Sequence, residues 1–154
     1  MGDWQKLKRL GRYLLDKPMV VVRFRRQNWN GEIVVWSDSD YAGCKRTRKS
    51  TSGGVIMLGE HTIKSWSNTQ AVIALSSGEA EYYAMVKASS VAIGTREIMR
   101  DLGIPTSGIR VKTDATAAKG IASRSGLGKV RHIEVSQLWL QEKVADGKIC
   151  IEKR

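Results

Sequence analysis

Glu32-Ile33-Val34-Val35-Trp36-Ser37-Asp38 reads as a β-strand that ends on an acidic side chain. Its β-branched and aromatic residues favour a pleated, half-buried surface. A turn precedes it in Gln27-Asn28-Trp29-Asn30-Gly31, where glycine supplies the positive φ. A basic loop, Lys45-Arg46-Thr47-Arg48-Lys49, follows it. Residues 54–58 and 62–66 then read as two further strands joined by Gly59-Glu60-His61, a hairpin signal. Three strands with short links predict an antiparallel meander.

The second half alternates. Ser76 and Glu79 fit a capping box: the serine oxygen takes the Glu79 backbone N–H, and the glutamate side chain reaches back. The helix they open runs to Leu102, with Gly103 beyond it and Pro105 preventing continuation. Residues 109–113 read as a strand, 115–123 as a short helix, 124–129 as a basic loop, 133–145 as a helix closed by Gly147, and 148–151 as a last strand. Strands separated by helices predict parallel additions. The expected fold class is α/β: a mixed five-stranded sheet, three strands antiparallel and two parallel, flanked by helices. Before the first strand, residues 3–16 carry Trp4, Leu7, Leu10 and Leu14 near a 3.6-residue period, and Pro18 ends that segment. Residues 20–24 read as a strand or extended link. The expected division is therefore an appendage over 1–30 and a domain over 31–154.

The chain has 154 residues, and 26 Lys+Arg against 15 Asp+Glu give a formal charge of +11. No apolar run approaches the roughly 20 residues that span a bilayer, which excludes a helical membrane anchor. The N-terminus lacks the apolar stretch of a secretory leader. Cys44 and Cys150 make neither a disulfide scaffold nor, with two histidines, a zinc site. A cytoplasmic or nuclear chain is expected. Positive charge clusters in residues 1–31, in 45–49, and from Arg110 through Lys112, Lys119, Arg124 and Lys129 to Arg131. Clustered charge can follow a phosphate backbone, so the expected partner is nucleic acid.

Against that background four acids stand out: Asp38 and Asp114 at strand ends, Glu81 early in the long helix, and Glu134. In open α/β sheets functional groups gather at the carboxyl ends of strands. Clustered carboxylates repel one another unless a hard cation such as Mg²⁺ or Mn²⁺ holds them. The same residue types also serve as turn residues and helix caps, so spacing alone leaves both readings open. Of the five tryptophans, Trp36, Trp66 and Trp139 are expected to pack, leaving Trp29 as the base-stacking candidate. Both cysteines are expected to be reduced and at least partly buried.

Four longer strings carry a resemblance. Residues 36–54, Trp-Ser-Asp-Ser-Asp-Tyr-Ala-Gly-Cys-Lys-Arg-Thr-Arg-Lys-Ser-Thr-Ser-Gly-Gly, are similar to the start of the ribonuclease H domain of copia-type retrotransposon polyproteins. So are Ile63-Lys-Ser-Trp-Ser67, Ala74-Leu-Ser-Ser-Gly-Glu-Ala-Glu-Tyr-Tyr-Ala84 and Val130-Arg-His-Ile-Glu134. The similarity covers about residues 32–152, and residues 6–16 resemble the helix that ends the preceding reverse transcriptase region. It implies a metal-dependent endoribonuclease that cuts the RNA strand of RNA–DNA hybrids, with two Mg²⁺ or Mn²⁺ ions and an upstream reverse transcriptase as partner. A catalytically weakened nucleic-acid-binding module of the same fold is the alternative.

The resemblance also implies roles. Asp38, Glu81 and Asp114 correspond to the three principal catalytic, metal-binding carboxylates, and Glu134 to the fourth. Asp40 competes with Asp38 and Glu79 with Glu81. Glu79 and Glu81 lie about 200° apart on a helix, so one faces the metals and the other caps. Copia-type domains commonly read His-Ile-Asp where this chain has His132-Ile133-Glu134. The extra methylene displaces the carboxylate by roughly an ångström, and misplacement on that scale costs about 100-fold in rate. A position often histidine in the family is Gln137 here. Ser39 (through its backbone), Ser77, Thr116, Lys129, Arg131 and His132 are the implied nucleic-acid contacts.

Overall fold

The computed structural model describes residues 2–19, 21–128 and 132–153. Five strands form one sheet: β1 (Glu32–Asp40), β2 (Thr51–Leu58), β3 (His61–Thr69), β4 (Gly108–Thr113) and β5 (Ile149–Lys153), in the order β3-β2-β1-β4-β5. β1, β2 and β3 pair antiparallel, while β4 pairs parallel with β1 and β5 parallel with β4. This is the mixed sheet the sequence predicts. Strands β1 to β3 run longer than their apolar patches because Ser52, Gly53 and Asn68 continue the ladder without contributing hydrophobic side chains.

The long helix α2 (Ser77–Asp101) lies on one face of the sheet. Alternation in β1 buries Ile33 and Val35 against Tyr82, Met85, Ala88 and Ala92 of that helix. Each large apolar side chain so buried contributes about 1.5–3 kcal/mol. Ser76 caps α2 by accepting the Glu79 N–H at 3.2 Å, as expected. The Glu79 carboxylate reaches back one residue further than a capping box requires, accepting the Leu75 N–H at 2.8 Å. Gly94 leaves α2 unbroken, and Gly103, at φ 71°, follows its end.

Two more helices complete the domain, α3 (Thr116–Ala122) and α4 (Trp139–Ala145). Gly78 lets α2 meet α3 closely, because a Cβ there would stand 2.8 Å from the Ala117 Cβ. The helix expected over 133–145 is split: Val135–Gln137 is a 3-10 turn and only Trp139–Ala145 is α-helical. Tyr82 explains the break. Its buried hydroxyl donates to the Gln137 carbonyl at 2.8 Å, and the Gln141 N–H turns instead to the Leu138 carbonyl.

The N-terminal helix, α1, spans Asp3–Asp16 and buries no residue. Trp4, Leu7, Leu10 and Leu14 are all exposed. No strand forms in the described part of 20–24. The chain instead crosses the β2–β3 turn as an extended strap. Gln27 donates to the Leu58 carbonyl at 2.7 Å and accepts the Glu60 N–H at 2.8 Å, while the Phe24 ring meets His61 edge-on at 5.2 Å. Trp29, the expected stacking residue, packs against the core and donates to the Glu32 carbonyl at 2.8 Å. Trp36 is half-buried beneath the Lys112 ammonium rather than in the core, and Cys150 is exposed.

Candidate active site

The β1–β4 register brings the first pair of acids together. Trp36 sits opposite Lys112, so two residues further along parallel strands Asp38 comes level with Asp114. The first turns of α2 supply Glu81. Carboxylate oxygens of Asp38, Glu81 and Asp114 all lie within 4.8 Å of one another. Asp38 and Asp114 are exposed, while Glu81 is 9% exposed. An open cavity of about 350 Å³ beside them is lined by Trp36, Asp38, Gly53, Lys112 and Asp114, among others.

These three acids are not spent on local structure. Asp114 does not cap α3: the N-cap is Ala115, and no side chain caps the helix. Glu81 Oε1 accepts from the Ser39 N–H at 3.1 Å and the Ser39 hydroxyl at 3.3 Å. Among the described residues Glu81 Oε2 is buried without a hydrogen-bond partner. Burial pushes the Glu81 carboxyl above the usual carboxylate range; the Ser39 N–H opposes this, and the negative charges of Asp38 and Asp114 add to it. A buried, half-satisfied carboxylate beside two others costs stability unless a cation joins it. The donor set is all oxygen, which suits a hard divalent ion. The residues present therefore fit a metal held by Asp38, Glu81 and Asp114.

The competing acids do other work. The Asp40 side chain accepts the Thr51 N–H across the end of the β1–β2 ladder. Glu79 is 1% exposed and accepts from Leu75, from the Tyr83 hydroxyl at 2.7 Å and from His132 Nε2 at 2.6 Å. Burial pushes its pKa up, but the Tyr83, Leu75 and His132 donors outweigh burial and hold it below the usual range. Residue spacing carries no sign of the His132 link, which joins residues 53 positions apart.

Glu134 stands outside the three-carboxylate group. It is exposed, accepts from the Ser136 hydroxyl at 3.1 Å, and borders a separate cavity of about 520 Å³ with Ser52, Gln70, Tyr83 and Lys87. Ser39 is committed to Glu81 through both its N–H and its hydroxyl. Ser77 and Thr116 are exposed at the first turns of α2 and α3. Lys129 and Arg131 lie outside the described residues.

The basic clusters also separate. Arg110 is paired with Glu32 and Glu152, each at 2.8 Å, and Lys112 with Glu152 at 3.8 Å, so that part of the charge is internal to the sheet. Among the described residues, Lys45, Arg46, Arg48 and Lys49 have no acidic partner. They occupy the turn that continues the carboxyl end of β1.

No model of a protein family matches the chain. Similarity is found to the secreted RxLR effector protein 161 of Plasmopara viticola, 38% identical over 90 residues, covering 58% of this chain and 63% of that protein. The retrovirus-related Pol polyprotein from transposon RE1 of Arabidopsis thaliana is 29% identical over 149 residues, 96% of this chain and 10% of the polyprotein. The chain thus spans about a tenth of the polyprotein's length. Among solved structures, LC11-RNase H1 superposes with a TM-score of 0.52 at 16% identity, over 80% of this chain and 84% of that one. The same enzyme in complex with an RNA/DNA hybrid gives 0.50 at 15%, over 79% and 84%. The chain thus has a ribonuclease H-like fold and is similar in sequence to part of retrotransposon Pol polyproteins.

Proposed function

We propose that this domain is a metal-dependent endoribonuclease that hydrolyses the RNA strand of RNA–DNA hybrids during reverse transcription of a copia-type retrotransposon. The grouping of Asp38, Glu81 and Asp114 at the carboxyl end of β1 and β4 carries this reading. Its substrate is the kind of duplex held by LC11-RNase H1.

Asp38, Glu81 and Asp114 would hold Mg²⁺ or Mn²⁺. Two such ions, when bound, supply an activated water and charge stabilisation for the departing 3′-oxygen, leaving 5′-phosphate and 3′-hydroxyl ends. The chain's own part is to fix these acids. Ser39 pins Glu81 Oε1, and the β1–β4 register aligns Asp38 with Asp114. Ser77, Thr116 and His132, with Lys129 and Arg131, are the proposed contacts to the substrate backbone. Contacts to 2′-hydroxyls would select RNA over DNA. The loop of Lys45, Arg46, Arg48 and Lys49 adds attraction for phosphate. In a parent polyprotein the upstream reverse transcriptase would supply the hybrid, in a cytoplasmic, nuclear or particle-enclosed setting. No helix of the described residues is long and apolar enough to cross a membrane.

The separate position of Glu134 favours a second reading, a nucleic-acid-binding module with weakened catalysis. One assay separates the two: labelled RNA in hybrid, single-stranded and RNA-duplex form, with Mg²⁺ or Mn²⁺. Cleavage confined to the hybrid and lost in Asp114→Asn is expected. Tight, salt-sensitive hybrid binding without turnover in either metal would select the second reading; equal cleavage by wild type and variant would remove the assignment.

A further inference from the structure

Glu79 is a buried carboxylate that the proposed chemistry leaves unused. Both of its oxygens are engaged: Oε1 accepts from the Tyr83 hydroxyl, and Oε2 accepts the Leu75 N–H at 2.8 Å while meeting His132 Nε2 at 2.6 Å. The Leu75 N–H and the Tyr83 hydroxyl are both directed at the carboxylate, which in its ionised form can only accept, so Nε2 supplies the hydrogen of the short bond to His132. Among the described residues that leaves Nδ1 as the uncommitted ring nitrogen. The His132 side chain is 41% exposed, whereas Glu79 is 1% exposed. The arrangement is a buried anchor under a reachable imidazole.

Two further observations give the anchor a use. His132 lies two residues before Glu134, on the segment that borders the cavity shared by Tyr83, Lys87 and Gln70. Glu79 is on α2, two residues before Glu81. A single carboxylate thus ties the segment of His132 to the helix that carries one of the clustered acids. An exposed histidine left to rotate would lose side-chain freedom on meeting a ligand, and a ring already held does not.

We propose that Glu79 is a positioning residue that holds His132 by Nε2 so that the Nδ1 lone pair accepts from a 2′-hydroxyl of the bound RNA strand. The substrate half of this statement rests on the ribonuclease reading. The ring's orientation rests on the Glu79 contacts alone.

The test uses the whole chain. Nitrogen-15 NMR at about pH 8, without substrate, reads the His132 tautomer. Wild type is expected as the Nε2–H form, Glu79→Ala as a mixture. Glu79→Gln, whose amide oxygen can accept the same hydrogen, is expected to restore the wild-type spectrum. Steady-state cleavage of a hybrid gives the second reading: KM rises about tenfold in Glu79→Ala and in His132→Ala, with little change in kcat, and the double variant is no worse than either. A mixed tautomer in wild type, independent effects of the two substitutions, or a Gln variant no better than Ala would overturn the proposal. The wild-type tautomer decides even where Glu79→Ala does not fold. A wild type that neither binds nor cleaves hybrid defeats the ribonuclease reading, and the tautomer, read without substrate, reports on Glu79 separately.

Discussion

Glu79 and Glu81 are both buried carboxylates in the opening turns of α2, yet their surroundings are opposite. Glu79 meets three donors and is held below the usual carboxylate range. Glu81 meets only Ser39, keeps one oxygen unpartnered, and is pushed above that range by burial and by two neighbouring acids. The first environment stabilises the fold. The second spends stability to keep a charge ready for a cation, as functional sites commonly do. Two residues of helix, about 200° of rotation, separate these roles.

The sharpest way to break the comparison is Glu81→Gln. Hybrid cleavage in Mg²⁺ is expected to fall by about 1,000-fold, the scale of losing one preorganised electrostatic group. Retained activity would remove Glu81 from the site. Next in size is Glu79→Ala, expected to lower stability by about 3 kcal/mol because it strands buried donors. The urea midpoint should drop with its slope unchanged. Glu79 also predicts a pH dependence. Its folded pKa is depressed, so its stabilisation is fully present above the unfolded value near 4.5 and is lost as pH falls through the lower folded value. Glu79→Gln should flatten the stability curve in that acid range, and an unchanged curve would mean that Glu79 is not held ionised.

Glu81→Gln carries the opposite expectation for stability. Its folded pKa is raised, so the ionised group begins to destabilise the metal-free fold as pH rises past the unfolded value, and does so fully once pH passes the raised folded value. Removing that charge at pH 7 in EDTA should raise Tm by about 3 °C, the equivalent of about 1 kcal/mol at this chain length. Wild type should in turn gain stability from Mn²⁺ that the variant does not. A variant that melts lower than wild type in EDTA would place Glu81 with Glu79 as a structural acid.

How far these roles were legible depended on sequence distance. The succession of elements along the chain and the Ser76 cap follow from local periodicity and a short capping motif, which the chain states directly. That Glu81 and not Glu79 joins Asp38 and Asp114 follows from helix phase once one of the pair is assigned to the cap. Contacts made across the fold left no local trace. The Glu79–His132 bond joins residues 53 apart, and the Gln27 clasp on the β2–β3 turn joins residues more than 30 apart. Trp29 sits among basic residues in the chain but in space finds the core and the Glu32 carbonyl, a tertiary contact that overrides local composition. The 3-10 turn at Val135–Gln137 depends on a hydroxyl from α2.

The smallest expected effect concerns the other ambiguous pair, Asp38 and Asp40. Alternation in β1 gives the two side chains the same face, so phase cannot choose between them. Hydrogen bonding can. Asp40 is committed to the Thr51 N–H at the end of the β1–β2 ladder, whereas Asp38 stands level with Asp114 and within 4.8 Å of the other two acids. An asparagine oxygen can accept the Thr51 N–H as an aspartate oxygen does. Asp40→Asn should therefore leave hybrid cleavage within about twofold of wild type and stability within about 0.5 kcal/mol, the range of an ordinary surface substitution. On the proposed metal-site reading Asp38→Asn has no such refuge, because the oxygen it replaces would face a cation rather than an N–H. If Asp40→Asn were the variant that lost cleavage, the first carboxylate of the site would move two residues along the strand. The division between acids that hold the chain and acids that hold the metal would then have to be redrawn for β1 as well as for α2.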